Sequence, residues 1–75
     1  MDIEKRVLRL IADQAGVDHK SLTGDKTKTE LGFDSLDEVE LIFLIEEEFD
    51  IVIHDAHAEK LITVRDVIDY VTVEY

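Results

Sequence analysis

The stretch from Asp34 to Phe49, DSLDEVELIFLIEEEF, limits the possible folds of this chain more than any other. At roughly 100° per residue, Leu41, Ile42, Ile45 and Phe49 share one face of a helix. Leu36, Val39 and Phe43 fall on nearly the opposite side. The first stripe must face a core. The second is either covered by another helix or forms a contact surface with an apolar centre, because Glu40, Glu46, Glu47 and Asp50 flank it. Leu44 belongs to neither stripe. Asp34 suits an N-cap, and Asp37 and Glu38 sit where a helix dipole favours acids. The spacing therefore predicts a helix starting at Ser35 and running to about Phe49.

Helical periodicity continues on both sides. Ile3, Val7, Leu10 and Ile11, with Leu8 beside them, predict a helix over about 3–15, capped by Asp2 and ended by Gly16 in a left-handed turn. From Val17 to Phe33 the chain is polar, and only Val17, Leu22, Leu31 and Phe33 can pin it to a core. A connection this long is either functional or holds a short turn of helix. Asp55 is expected to cap a brief helix over about 56–61 that carries Ala58 and Leu61. Thr63-Val-Arg-Asp66 resembles a capping box, opening a last helix over about 64–73 with Val64, Val67, Ile68 and Val71 on one side. The terminal VTVEY alternates like a strand, but none is expected there. With 75 residues and no proline, the expectation is one domain over residues 1–75. Its predicted fold is all-α: a small antiparallel four-helix bundle with a short third helix and a long first loop.

Charge and composition exclude several classes of function. The net charge is −11, which opposes binding to nucleic acid or an anionic membrane. Between Thr29 and Glu59 lie 11 acids and no Lys or Arg, so the whole net charge resides in the middle of the chain. That stretch is either a solvated surface or a docking face for basic partners. The longest apolar run, Leu41 to Ile45, is far too short for a membrane span. The N-terminus lacks a signal-peptide core, so a cytoplasmic or organelle-matrix location is expected. Cysteine is absent, which removes disulfides, thiolate metal sites and thiol nucleophiles. A calcium loop counted from Asp25 fails, because Thr27, Thr29, Glu30 and Leu36 occupy its ligand and glycine positions. His54 and His57, with Asp55 between them, have a spacing two metal ligands can use, yet they read better as surface residues around a helix start, and no metal is expected. No phosphate loop of nucleotide-binding type is present. No catalytic residue is assigned, and the chain is not expected to be an enzyme.

Ser35 stands out for what surrounds it. Asp34, Asp37, Glu38 and Glu40 lie close in sequence, with no base or metal ligand among them. A nucleophilic serine needs a general base. An acceptor serine does not, because the modifying enzyme brings its own base and metal. Ser35 follows the cap of a helix, where backbone N–H groups and the dipole tolerate a phosphate, and Gly32-Phe33-Asp34 forms a turn that would expose it. Ser35 also suits a simple role at a helix start.

Residues 31–53, LGFDSLDEVELIFLIEEEFDIVI, resemble the central signature of the acyl carrier protein family. Asp34-Ser35-Leu36, Glu40-Leu41 and Glu46-Glu47-Glu48-Phe49-Asp50 match it in order and spacing. The similarity extends through Ala58-Glu59-Lys60-Leu61, Thr63-Val64 and Ile68-Asp69-Tyr70. It also reaches Ile3, Glu4, Arg6, Val7 and Gly16-Val17, so it covers nearly the whole chain. The resemblance implies a four-helix bundle with a short third helix. It implies that a phosphopantetheinyl transferase moves 4′-phosphopantetheine from coenzyme A onto Ser35, flanked by Asp34 and Leu36. The arm's thiol would then carry acyl groups as thioesters to enzymes of fatty-acid or related acyl-chain synthesis. Helix two is the family's recognition helix. Asp34, Asp37, Glu40, Glu46 and Glu47 would meet basic surfaces of synthases and transferases, with Leu36, Val39 and Phe43 filling the apolar centre. The core stripe of helix two would line a shelter for the acyl chain.

The chain departs from the family pattern in places. Thr27-Lys28-Thr29-Glu30 stands where members usually carry a bulky apolar residue, and the segment is slightly shortened. His54 replaces a common proline, His57 lies in a helix that is usually more acidic, and Phe43 and Leu44 are bulkier than expected. These changes suggest a specialised carrier with an altered acyl preference. Gly32-Phe33-Asp34 argues against the nearest rival, a peptidyl or aminoacyl carrier. An unmodified helical docking module is the alternative from another class, and a histidine-based metal binder is a third. Starting at Met1 and ending soon after the last helix, the chain is expected to be free-standing, and a monomer.

Overall fold

Most helix ends in this chain are closed by a side chain or residue suited to the task, and those closures set the architecture. The computed structural model describes residues 2–75; Met1, where the expected free-standing chain and domain begin, lies outside them. Helix α1 spans Ile3–Ala15, with the Asp2 carboxylate accepting from Lys5 N–H and Gly16 ending it at φ 73°. That positive φ is costly for a residue with a Cβ. Helix α2 spans Ser35–Phe49, α3 spans Asp55–Ala58 and α4 spans Val64–Glu74. The terminal VTVEY is helical to Glu74 rather than extended. The described residues form an all-helical bundle in which α1 packs against α4 and α2.

The core is built from the predicted stripes. Val7 and Ile11 of α1, Leu41, Ile45 and Phe49 of α2, and Val64, Val67, Ile68 and Val71 of α4 are buried, joined by Ile53 and Leu61. Ile42 is only partly buried at the edge of this cluster. Burying side chains of this size contributes about 1.5–3 kcal/mol each. Leu44, which fitted neither stripe, lies at the margin with 37% exposure.

Three expectations need correction. Helix α3 begins at Asp55 rather than after it, because His54 takes the N-cap position and no side chain caps it. It also ends at Ala58. Lys60 N–H and Leu61 N–H close tighter turns onto His57 and Ala58 carbonyls, so Leu61 reaches the core from outside the helix. Val17 does not pin the long connection, being 43% exposed, whereas Leu22, Leu31 and Phe33 pack against the core.

The long connection holds a short 3₁₀ turn at His19–Ser21. Its main anchor is backbone. Val64 N–H donates to the Lys26 carbonyl at 2.9 Å, Arg65 N–H to the Gly24 carbonyl at 2.9 Å, and Lys28 N–H to the Ile62 carbonyl at 3.1 Å. The first N–H groups of a helix have no partner within the helix. Here the loop supplies acceptors for two of those in α4, and an antiparallel bridge pairs Thr27 with Thr63. The capping box completes the set: Asp66 N–H donates to Thr63 Oγ1, while Asp66 Oδ2 accepts from Thr63 N–H and Ile62 N–H.

A second clasp closes the C-terminus. Arg6 donates through Nε and Nη2 to Glu48 Oε2 at 3.0 and 2.8 Å, and through Nη2 to the Glu48 carbonyl. Its guanidinium lies 4.5 Å from the Phe49 ring centre and 5.6 Å from that of Tyr75. The two rings meet edge to face at 5.3 Å. The planar guanidinium suits this role, because it bonds at its edge and stacks on its face.

Two predictions follow from these clasps. Arg6→Met should lower the urea midpoint, with Arg6→Lys recovering only part of the loss, because an ammonium cannot both fork onto Glu48 and stack on Phe49. Backbone N–H donors, that of Thr63 foremost, hold the Asp66 carboxyl below its usual range, against the opposing effect of burial. A depressed carboxylate stabilises fully above its unfolded pKa of about 3.9 and ceases to do so as pH falls through the folded value. Asp66→Ala should therefore cost about 1 kcal/mol near neutral pH, with the difference from wild type shrinking below about pH 4 in urea titrations.

Candidate functional site

Ser35 is exposed and is the first residue of α2. Its hydroxyl makes no hydrogen bond among the described residues. The backbone around it is fixed from both sides. Upstream, Thr27 and Glu30 bond reciprocally, each side chain accepting from the other's N–H at 3.1 and 3.0 Å. Gly32 then turns the chain at φ 80°, and Phe33 N–H donates to the Lys28 carbonyl. Downstream, Asp34 Oδ1 accepts from Asp37 N–H at 2.8 Å and Asp37 Oδ2 from Asp34 N–H at 3.1 Å, a capping box built from two aspartates. The hydroxyl is therefore held outward on a rigid corner, free to be approached.

The predicted partner-face residues fall into distinct environments. Leu36, Val39 and Phe43 are 63, 66 and 57% exposed, so no helix covers the second stripe. Asp37 is tied into the cap and, with Glu40, accepts from Gln14 Nε2 of α1 at 3.2 and 3.1 Å. Glu46 Oε2 accepts from Ile53 N–H at 2.8 Å, which ties the end of the α2–α3 link back to α2. Glu47 is exposed and meets no partner among the described residues. Gln14, which aligns two of these acids, gave no sign of this in the sequence, because its role depends on how α1 crosses α2.

An open groove of about 770 Å³ lies beside the stripe, within the range of small-molecule sites. Val39, Ile42 and Phe43 of α2 form one wall, and Ile53, Ala58, Leu61 and Ile62 the other. The core stripe of α2 was expected to line such a space. Only Ile42 does so, because Leu41, Ile45 and Phe49 point fully into the bundle. Val39 and Phe43 thus belong to both the exposed stripe and the groove. The remaining lining is polar: Lys28, Thr29, Glu38, Glu46, Asp55 and Glu59.

The histidines lie near this wall. His54 and His57 rings are 6.2 Å apart, and His57 Nδ1 is 3.0 Å from Tyr70 Oη. Burial, aided by Glu74 and Glu46, raises the Tyr70 phenol pKa. No group of three or more candidate ligands that could hold a metal occurs among the described residues. No helix among them is long and apolar enough to cross a membrane.

Comparison with known families settles the class. The model of the phosphopantetheine attachment site family matches residues 5–71. The chain belongs to the acyl carrier proteins. Its fold is that of a candidate acyl carrier protein from Mycobacterium tuberculosis, with a TM-score of 0.89 and 34% identity over 96% of this chain and 97% of that one. It is also similar to an acyl carrier protein from Thermotoga maritima, with a TM-score of 0.78 and 31% identity over 93% of this chain and 82% of that one. Membership makes this protein a carrier rather than a catalyst, with 4′-phosphopantetheine as its prosthetic group.

The carrier's acids are largely unpaired. Glu48 meets Arg6, and Glu38 lies 4.0 Å from Lys28; no other acid between Thr29 and Glu59 is within ion-pair distance of a Lys or Arg among the described residues. Self-repulsion of this kind is screened by ions. Raising salt from about 10 mM to about 1 M, which shortens the Debye length from about 30 to about 3 Å, should raise the melting temperature by several degrees, and magnesium should do so at lower concentration. A flat response would show that the acids do not strain the fold.

Proposed function

We propose that this carrier holds acyl groups as thioesters on an arm joined to Ser35 and presents them, through α2, to basic faces of fatty-acid or related acyl-chain enzymes. The observation that carries this is the Ser35 corner: an exposed hydroxyl with no internal partner, on a helix start whose backbone is locked by Asp34 and Asp37. Bound there, 4′-phosphopantetheine supplies the thiol that this cysteine-free chain lacks.

The chain's own residues fit the group. In loading, Ser35 Oγ would bond to the phosphorus that bears the pantetheine arm as the pyrophosphate P–O bond to the nucleotide breaks, and its proton would pass to a base on the phosphopantetheinyl transferase. Asp34 shapes the corner through its cap, and exposed Leu36 offers the transferase an apolar contact beside the serine. The first-turn N–H groups of α2 would favour the negative charge of a phosphodiester on Ser35. Asp37, Glu40, Glu46 and Glu47 set the charge that steers basic partners, while Val39 and Phe43 supply the apolar centre of the contact. The domain is proposed to act as a monomer over residues 1–75, in the cytoplasm or an organelle matrix.

Intact mass after incubation with coenzyme A, magnesium and a broad-specificity phosphopantetheinyl transferase tests the assignment. The wild type should gain one phosphopantetheine and Ser35→Ala none. A folded wild type that gains nothing from an active transferase would shift the reading to an unmodified docking module.

A further inference from the structure

Lys28 is the one basic residue lining the groove beside α2. It enters from the long connection between α1 and α2. Its side chain is only 16% exposed. With Ile11, Leu31 and Leu41, it also borders a small void next to the core. Its ammonium is 4.0 Å from Glu38 Oε1, beyond hydrogen-bond reach. The three N–H donors of Lys28 therefore make no hydrogen bond among the described residues, and the open groove beside them leaves room for water.

An acyl chain laid in this groove would displace that water. A plain hydrocarbon would strip solvent from the ammonium and leave only Glu38, at 4.0 Å and not hydrogen-bonded, to offset its charge, which is unfavourable. A chain carrying an oxygen would give the ammonium an acceptor in a setting of low polarity, where a charged hydrogen bond is strong. A carboxylate would not serve as well, because Glu38, Glu46, Asp55 and Glu59 also line the groove and would repel it. Resting on the carrier function proposed above, we infer that Lys28 sets acyl specificity and that the groove prefers neutral oxygenated acyl chains, hydroxyacyl or oxoacyl, to saturated ones of the same length.

The test uses the whole protein, loaded by a phosphopantetheinyl transferase from acyl-coenzyme A. The probes are saturated acyl groups of medium length and the same chains carrying one hydroxyl at successive positions. Intact mass establishes loading before any comparison. The readout is the rate at which hydroxylamine cleaves the thioester, which falls when the chain is sheltered. In the wild type, the hydroxyl at one or more positions should slow cleavage roughly fivefold to tenfold relative to the saturated chain. Lys28→Met keeps the length of the stem and should reverse that order, whereas Lys28→Arg should preserve it; circular dichroism checks that each variant is folded. A saturated chain protected as well as every hydroxylated one, or an order unchanged in folded Lys28→Met, would overturn the inference while leaving the carrier function intact. Failure of the wild type to load would overturn both.

Discussion

The first turn of α4 cannot satisfy its own N–H groups, and the rest of the structure is arranged around that need. Two of its leading donors are taken by carbonyls of Gly24 and Lys26, residues far away in sequence on the long connection. The Thr63–Asp66 box takes what remains. Without these bonds, the connection would be held by Leu22, Leu31 and Phe33 and by the bond from Lys28 N–H to the Ile62 carbonyl. With them, it is drawn across the bundle, Thr27 is set beside Thr63, and the Gly32 turn is aimed so that Ser35 opens α2 at the surface. A backbone requirement at one helix thus determines where the serine of another helix is displayed.

Helix α2 carries two separate duties on its two stripes. Leu41, Ile45 and Phe49 are spent wholly on the core. Leu36, Val39 and Phe43 contribute little to folding, because more than half of each remains in water. A small domain buries only about 60% of the surface its unfolded chain exposes, so apolar area left outside is a real sacrifice. The acids near that area show a similar division. Asp37 and Glu46 are partly occupied by backbone N–H groups, and Glu48 is given to Arg6. Glu47 is exposed and meets no partner among the described residues.

Local chemistry made much of the fold legible. Asp2, Asp34 and Thr63 are side chains that act on N–H groups within three residues, and Gly16 acts through its own φ, so α1, α2 and α4 could be bounded from the sequence. The short α3 was misplaced for a related reason: Asp55 has the right chemistry for a cap, but the turn begins one residue earlier, at a His54 that makes no capping bond. Backbone bonds between distant segments left no trace in side-chain pattern, which is why the anchoring of Gly24 and Lys26 was not foreseen. Around the groove, helical periodicity separated two stripes correctly but could not say which of them borders the space. That depends on how α3 and the Ile53–Ile62 segment approach α2. Lys28 reads as one more polar loop residue until the fold sets it in the lining of the groove.

The brevity of α3 has a mechanical consequence. Four residues form barely one turn, and only Ala58 among them packs against the core. The His57–Tyr70 bond ties it sideways to α4. The opposing wall belongs to α2, a helix of 15 residues anchored by Leu41, Ile45 and Phe49. One bank of the groove is a long helix anchored in the core; the other is held by Ile53 and Leu61 on either side of α3, while α3 itself has few buried contacts to resist local opening. Any change in the width of the groove is therefore set first by the element with the fewest buried contacts.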